Sequence, residues 1–219
     1  MITKAYSSFF AELELNNTRD WFQANKSRYE KDVKAPFLAL LKQIIDKIQA
    51  FDQEISTDPK AAVFRINRDI RFSKDKTPYS TLMKAGISPG GKRSELPGYY
   101  LGISSATIHI GGGMFGIDKD QLKKIRSSIT SEHEVLADIL NATDFKDRFG
   151  ELKGEHAKRL APDCKAMLEK APFIANKQFY VMTEIPMADY LNSDVLSSVL
   201  MEYYNAVYPL NRYLKGLLI

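Results

Sequence analysis

Nine basic residues lie between Lys60 and Arg93 against two acidic ones, Asp69 and Asp75, a local excess of +7 in a chain whose overall charge is +4. Outside this segment 22 basic residues face 25 acidic ones, leaving −3, so the positive field is local. Its densest part is Arg65-Ile66-Asn67-Arg68-Asp69-Ile70-Arg71-Phe72, followed by Lys74, Lys76 and Tyr79. A guanidinium donates two parallel hydrogen bonds, which suits phosphate or carboxylate oxygens, and an ammonium adds a compact charge. Arg65, Arg68, Arg71, Lys74 and Lys76 are therefore candidates to bind an anion, and Tyr79 could donate its hydroxyl to the same ligand. Asp69, between the arginines, could hold their planes in place or serve as an acid or base in that field. His109 is the second candidate for proton transfer. It has a suitable intrinsic pKa and stands two residues before Gly111-Gly112-Gly113, where a backbone can approach a ligand closely. A plainer reading competes with this one. Arg65–Asp69–Arg71 and Arg68–Asp75 would then be ion pairs tying a strand to its loop, and His109 a structural strand-end residue.

Other chemistries find little support. The glycine run has neither the spacing of a phosphate-binding nucleotide loop nor that of a dinucleotide fold, so no cofactor is expected. His109, His133 and His156 are far apart, and no His-Glu-x-x-His or Cys-x-x-Cys pair suggests a metal. There is no Gly-x-Ser-x-Gly elbow, and nothing ties Cys164 to a histidine. As the single cysteine, Cys164 excludes an internal disulfide and fits a reducing, cytoplasmic setting. No signal peptide is read in the first residues, and no apolar run approaches the roughly 20 residues that cross a bilayer.

These side chains need a frame. Phe9, Phe10 and Leu13 predict a short helix ending before Asn16-Asn17, and Thr18 reads as the cap of a second carrying Trp21, Phe22, Tyr29 and Val33. Pro36 suits the first turn of a new helix, whose stripe is Phe37, Leu40, Leu41, Ile44, Ile45, Ile48 and Phe51. From Val63 to Phe72 the period changes to two. Phe64, Ile66, Ile70 and Phe72 would share one strand face with Arg68, opposite Arg65, Asn67, Asp69 and Arg71. Arg68 on an apolar face demands a carboxylate or carbonyl partner. Ser88 to Arg93 reads as a turn or lid. Tyr99 to Ser104 and Thr107 to Gly111 predict a hairpin, and Gln178 to Met182 a further strand. Asp118 caps a helix bearing Leu122, Ile125 and Ile129, with another through Val135 to Leu140 and a short one through Phe145 and Phe149. A last helix from Leu196 is expected to break at Pro209.

The run Arg65 to Tyr79 resembles the signature of an uncharacterised, mostly bacterial family, domain of unknown function 2461: Arg-x-x-Arg-Asp-x-Arg-Phe, then Asp-Lys and a nearby Tyr. Asn17-Thr18-Arg19-Asp20-Trp21-Phe22, Pro97-Gly98-Tyr99-Tyr100-Leu101, Gly111-Gly112-Gly113-Met114 and Pro209-Leu210-Asn211-Arg212 are similar too, so the resemblance spans nearly the whole chain. It implies no activity; it singles out residues.

The expectation is a single α+β domain over residues 1–219, its mostly antiparallel central sheet flanked by N-terminal and C-terminal helices. Its ligand would be an anionic small molecule, phosphorylated or carboxylated. A nucleic-acid or acidic-partner module is the alternative. It is less favoured because the basic residues are not interleaved with exposed aromatics. A structural or self-associating domain is the third reading. No membrane partner is expected, and nothing fixes an oligomeric state.

Overall fold

Helix, strand and turn follow the apolar patterning over most of the chain. The structure, a computed structural model, describes residues 1–55 and 57–219. Its helices are α1 (Lys4–Leu15), α2 (Arg19–Ala24), α3 (Lys26–Arg28), α4 (Ala35–Ile48), α5 (Pro59–Ala62), α6 (Lys119–Asn141), α7 (Thr143–Phe149), α8 (Pro162–Ala166) and α9 (Leu196–Gly216). Strands β1 (Met83–Ile87), β2 (Gly98–Ile103), β3 (Thr107–Met114) and β4 (Phe179–Pro186) form an antiparallel sheet in the order β1-β2-β3-β4. This is the expected α+β fold, about half helical, with helices at both ends of the chain. Among the described residues no helix is long and apolar enough to cross a membrane.

The chain resolves into two compact units. The first holds Met1–Arg93, Tyr100–Ile110 and Glu184–Met201; the second holds Ser94–Tyr99, Gly111–Thr183 and Glu202–Ile219. In the first, Tyr6, Phe9, Phe10 and Leu13 of α1 and Phe37, Leu41, Ile44 and Ile48 of α4 are fully buried, as are Leu101, Ile103, Ile108 and Ile110. The Tyr6 hydroxyl donates to the carbonyl of Ile103 at 2.9 Å, so even this buried polar group is satisfied. Thr18 caps α2 by accepting from the Trp21 N–H at 3.3 Å.

Pro36 falls in the first turn of α4, as expected, but no break in helical backbone precedes that helix. Helical backbone continues from Lys26 to Ile48 through a π-helical segment, Tyr29–Lys34, immediately before it. A proline has no N–H to give and its ring clashes with the carbonyl four residues back; the wider π turn relieves both, and the Ala35 N–H bonds to Glu30 instead.

In the second unit, Asp118 and Gln121 form a reciprocal capping box at the start of α6. The two helices expected over 119–140 join across a non-helical Glu132. The predicted break at Pro209 does not occur: α9 runs through it. One proline costs roughly 3 kcal/mol inside a helix. Tyr204, Val207, Leu210 and Leu214 are all fully buried around it. At about 1.5–3 kcal/mol per buried side chain, that face outweighs the lost bond.

The glycine run is also a packing feature. Gly113 has φ +106, and a Cβ there would lie 2.3 Å from the Phe179 carbonyl oxygen. At Gly111 it would lie 2.3 Å from the carbonyl oxygen of Val181. The space beside these glycines is taken by β4 rather than open to a ligand.

Candidate functional site

The predicted strand from Val63 to Phe72 is not one. Only isolated bridges remain, Val63 with Ala85 and Asn67 with Tyr79, supported by Phe64 N–H to Lys84 (2.8 Å), Ser80 N–H to Ile66 (2.8 Å) and Arg68 N–H to Pro78 (2.9 Å). Pro78 cannot donate in return, so the ladder stops there. Beyond Arg68 the alternation is lost: Ile66 is 7 % exposed, but Phe72, expected on the same face, is 95 % exposed.

Two environments result. In the first, Val63 to Asn67 forms one wall of an open cleft of about 750 Å³ lying wholly within the first unit. Its lining carries six cations, Lys26, Lys34, Lys60, Arg65, Lys92 and Arg93, against one carboxylate, Glu30. Phe22, Tyr29, Ile66, Tyr79 and Met83 supply an apolar floor, and Gln23 and Asn67 add carboxamides. Tyr79 is 5 % exposed; its ring stacks on Phe22 at 4.0 Å, and its backbone N–H and C=O are both held by the Asn17 side chain. The Tyr29 hydroxyl meets the Met83 sulfur at 3.5 Å; burial, and secondarily the Glu30 carboxylate, push its pKa up to about 12.

The cleft cations differ in how occupied they are. Lys34 pairs with Glu30 at 2.8 Å. Lys92 donates to the carbonyls of Val63 (2.6 Å) and Ala61 (3.2 Å), beyond a turn in which Gly91 N–H bonds Ser88 and the Thr57 hydroxyl holds the same carbonyl at 2.6 Å. The stretch read as a lid is thus a pinned turn. Lys26, Lys60, Arg65 and Arg93 make no side-chain hydrogen bond or ion pair among the described residues.

The second environment is the loop from Arg68 to Pro78, which satisfies its own charges except at Lys74. Arg68 pairs with Asp75 and the Thr77 hydroxyl, and reaches the Thr77 carbonyl at 3.2 Å. The Thr77 N–H, then Arg68 and the Thr77 hydroxyl, hold the Asp75 carboxyl down at a pKa of about 2. Arg71 forks onto Asp69 at 2.9 and 2.7 Å and lowers that carboxyl's pKa, and its guanidinium lies 5.8 Å from the exposed Phe72 ring. Lys76 caps the Ile70 carbonyl at 2.9 Å. Lys74 is exposed.

Of the residues singled out from sequence, Arg65 and Tyr79 therefore meet in the cleft. Arg68, Asp69, Arg71, Lys74 and Lys76 sit in the loop, outside its lining. His109 lies on β3, paired through Nδ1 with Glu184 of β4 at 3.0 Å, and lines no part of the cleft. Among the described residues no cluster of three or more His, Cys, Asp or Glu is arranged to hold a metal ion.

Residues 5–213 match the family described as conserved hypothetical protein (DUF2461). The chain belongs to it. No curated protein matches. Membership in this family brings no activity with it, so the chemistry has to come from the cleft itself.

Sequence reasoning missed the helical wall. Phe22, Lys26, Glu30, Lys34 and Leu38 all line the cleft at a strict spacing of four. In a 3.6-residue turn such a row drifts around the helix; the wider π turn at Tyr29–Lys34 takes that drift back and keeps the row facing one way. The signal was present as a row of four-spaced charges running into Pro36.

Proposed function

We propose that this protein recognises a phosphorylated or carboxylated small molecule in the cleft, with Arg65 as the principal anion ligand and Lys60 and Arg93 beside it. The observation that carries the reading is the set of cations on that cleft that make no hydrogen bond or ion pair among the described residues, Arg65 having only a longer-range attraction to Asp69. A folded chain gains nothing from gathering unpaired like charges, which repel one another, unless something of opposite sign joins them. Three of the four loop cations, Arg68, Arg71 and Lys76, by contrast, already have carboxylate or carbonyl partners; the fourth, Lys74, is exposed and lies outside the cleft lining. Asp69 and His109 are not needed for binding in this reading, and neither faces the cleft.

The test is a thermal-shift series with phosphate, sulfate, citrate, sugar phosphates and nucleotides on wild type and Arg65→Ala. A ligand at 100 times its dissociation constant stabilises by about 2.7 kcal/mol, which raises the melting temperature of a chain this size by roughly 5–10 °C. Arg65→Ala should keep the unliganded melting temperature, since Arg65 is exposed and unpaired, and lose the shift. No shift with any anion would refute the reading.

A further inference from the structure

Building on that anion-binding reading, we propose that the natural ligand is a phosphate ester whose body is a flat nitrogen heterocycle, of mononucleotide size. The volume is the first argument. About 750 Å³ falls within the range that encloses cofactor-sized molecules, about 300–1,000 Å³. A bare phosphate or citrate would leave most of it to water.

The floor is the second. Phe22, Ile66, Tyr79 and Met83 are 6, 7, 5 and 1 % exposed, so the cleft rests on packed apolar groups. The small apolar area these groups leave open stays wet under a hydrated anion and is covered by the face of a ring. Arg65 directly precedes Ile66, so the free cation adjoins the floor along the same wall.

The third argument is polar. Tyr79 is held rigidly by its stack on Phe22 and by Asn17, yet its hydroxyl has no hydrogen-bond partner among the described residues and is not sealed off from the cleft. The side-chain carboxamides of Gln23 and Asn67 are likewise unpartnered. Each carboxamide offers both donors and an acceptor, and the tyrosine offers one more of either kind. Nitrogen heterocycles present that mixed pattern along their edges. A saturated sugar phosphate could use these groups but would not cover the floor; an aliphatic phosphate could do neither.

The experiment is calorimetric titration of the full chain with inorganic phosphate, a pentose phosphate, purine and pyrimidine mononucleotides, and a single-stranded oligonucleotide. It is run on wild type, Arg65→Ala and Tyr79→Phe. Tyr79→Phe removes only the hydroxyl and keeps both the ring stack and the Asn17 clasp. The mononucleotide should bind about tenfold more tightly than the pentose phosphate, a difference of about 1.4 kcal/mol. Tyr79→Phe should weaken the mononucleotide about three- to tenfold and leave inorganic phosphate unchanged. Arg65→Ala should weaken every phosphorylated probe. Equal affinity for mononucleotide and pentose phosphate would overturn the proposal, as would indifference to Tyr79→Phe. So would an oligonucleotide that binds with steep salt dependence while mononucleotides do not. Failure of all phosphorylated probes would instead refute the anion site itself.

Discussion

Arg65 and Arg71 are six residues apart in one basic segment, yet one lines an open cleft with no hydrogen bond or ion pair, feeling Asp69 only at longer range, and the other is clamped on Asp69 by two hydrogen bonds. The cleft wall from Lys60 to Asn67 carries two cations and the loop from Arg68 to Pro78 four. They differ in where acceptors lie. The loop carries Asp69, Asp75, the Thr77 hydroxyl and the Ile70 carbonyl, all within a few residues of the cations that use them. Such local side-chain and backbone bonds compete with strand pairing, which is why the segment leaves the sheet at Arg68. The wall has no acidic residue between Lys60 and Asn67, and its one facing carboxylate, Glu30, is already bound to Lys34. A dense positive charge is thus a candidate ligand site only where the chain fails to neutralise itself.

The largest expected effect sets these two arginines against each other. Removing a charge-assisted hydrogen bond costs about 1.5–3 kcal/mol, so Arg65→Ala should weaken binding of the best anion found by roughly 10- to 100-fold. Arg71→Ala should change it less than about twofold, because its guanidinium is spent on Asp69 and screened by solvent. Titration calorimetry on both variants decides the matter, and equal losses would erase the distinction between wall and loop.

The next effect separates the regions by alkali. Tyr29, on the cleft wall, has a pKa near 12 against about 10 in an unfolded chain. Its neutral form is favoured by folding, so the stability it contributes is full below pH 10 and is lost as pH rises toward 12. Urea unfolding at pH 9 to 12 should show wild type losing up to about 2 kcal/mol relative to Tyr29→Phe across that window. Parallel curves would mean that the hydroxyl is not buried against the Met83 sulfur.

A smaller loss is expected from breaking the loop. Arg68→Ala removes the partner of Asp75 and of the Thr77 hydroxyl at a half-buried position, and should cost about 1 kcal/mol of stability in urea unfolding. Anion binding should survive it. A loss of binding without loss of stability would move Arg68 from the loop's framework into the site.

Much of the fold was readable from residue pattern. The stripe from Phe37 to Ile48, the Thr18 and Asp118 caps and the hairpin through Thr107 each follow from local periodicity or capping chemistry, and all are present. What failed had a non-local cause. β1 was missed because Met-Lys-Ala-Gly-Ile lacks β-branched residues at most positions, although Met83, Ala85 and Ile87 alternate inward. Pro209 was read as a break because the proline is visible in sequence and the buried face that overrides it is not. For the candidate cleft, composition found the basic segment that holds Arg65, and Tyr79 was singled out by its place after the basic loop. Lys26 and Lys34 were overlooked because the aromatic spacing of Trp21, Phe22 and Tyr29 pointed to core packing, while Phe22 and Tyr29 also line the cleft beside those lysines.

The finest test concerns acid and the loop alone. Asp75 has a folded pKa of about 2, set mainly by the Thr77 N–H and then by Arg68, against about 3.9 when unfolded. Its charged form is the one folding favours, so the contribution is present above pH 4 and fades as pH falls toward 2. Asp75 is exposed, and the effect on global stability should be too small to separate from other carboxylates; the local readout is its side-chain carboxyl resonance. In wild type that resonance should titrate near 2, and in Arg68→Ala closer to 3, because the Thr77 N–H remains while the guanidinium is gone. A wild-type value equal to that of Arg68→Ala would mean that Arg68 is not committed to Asp75 in solution. Arg68 would then belong with Arg65, and the line between self-neutralised loop and open wall would have to be drawn after Arg68.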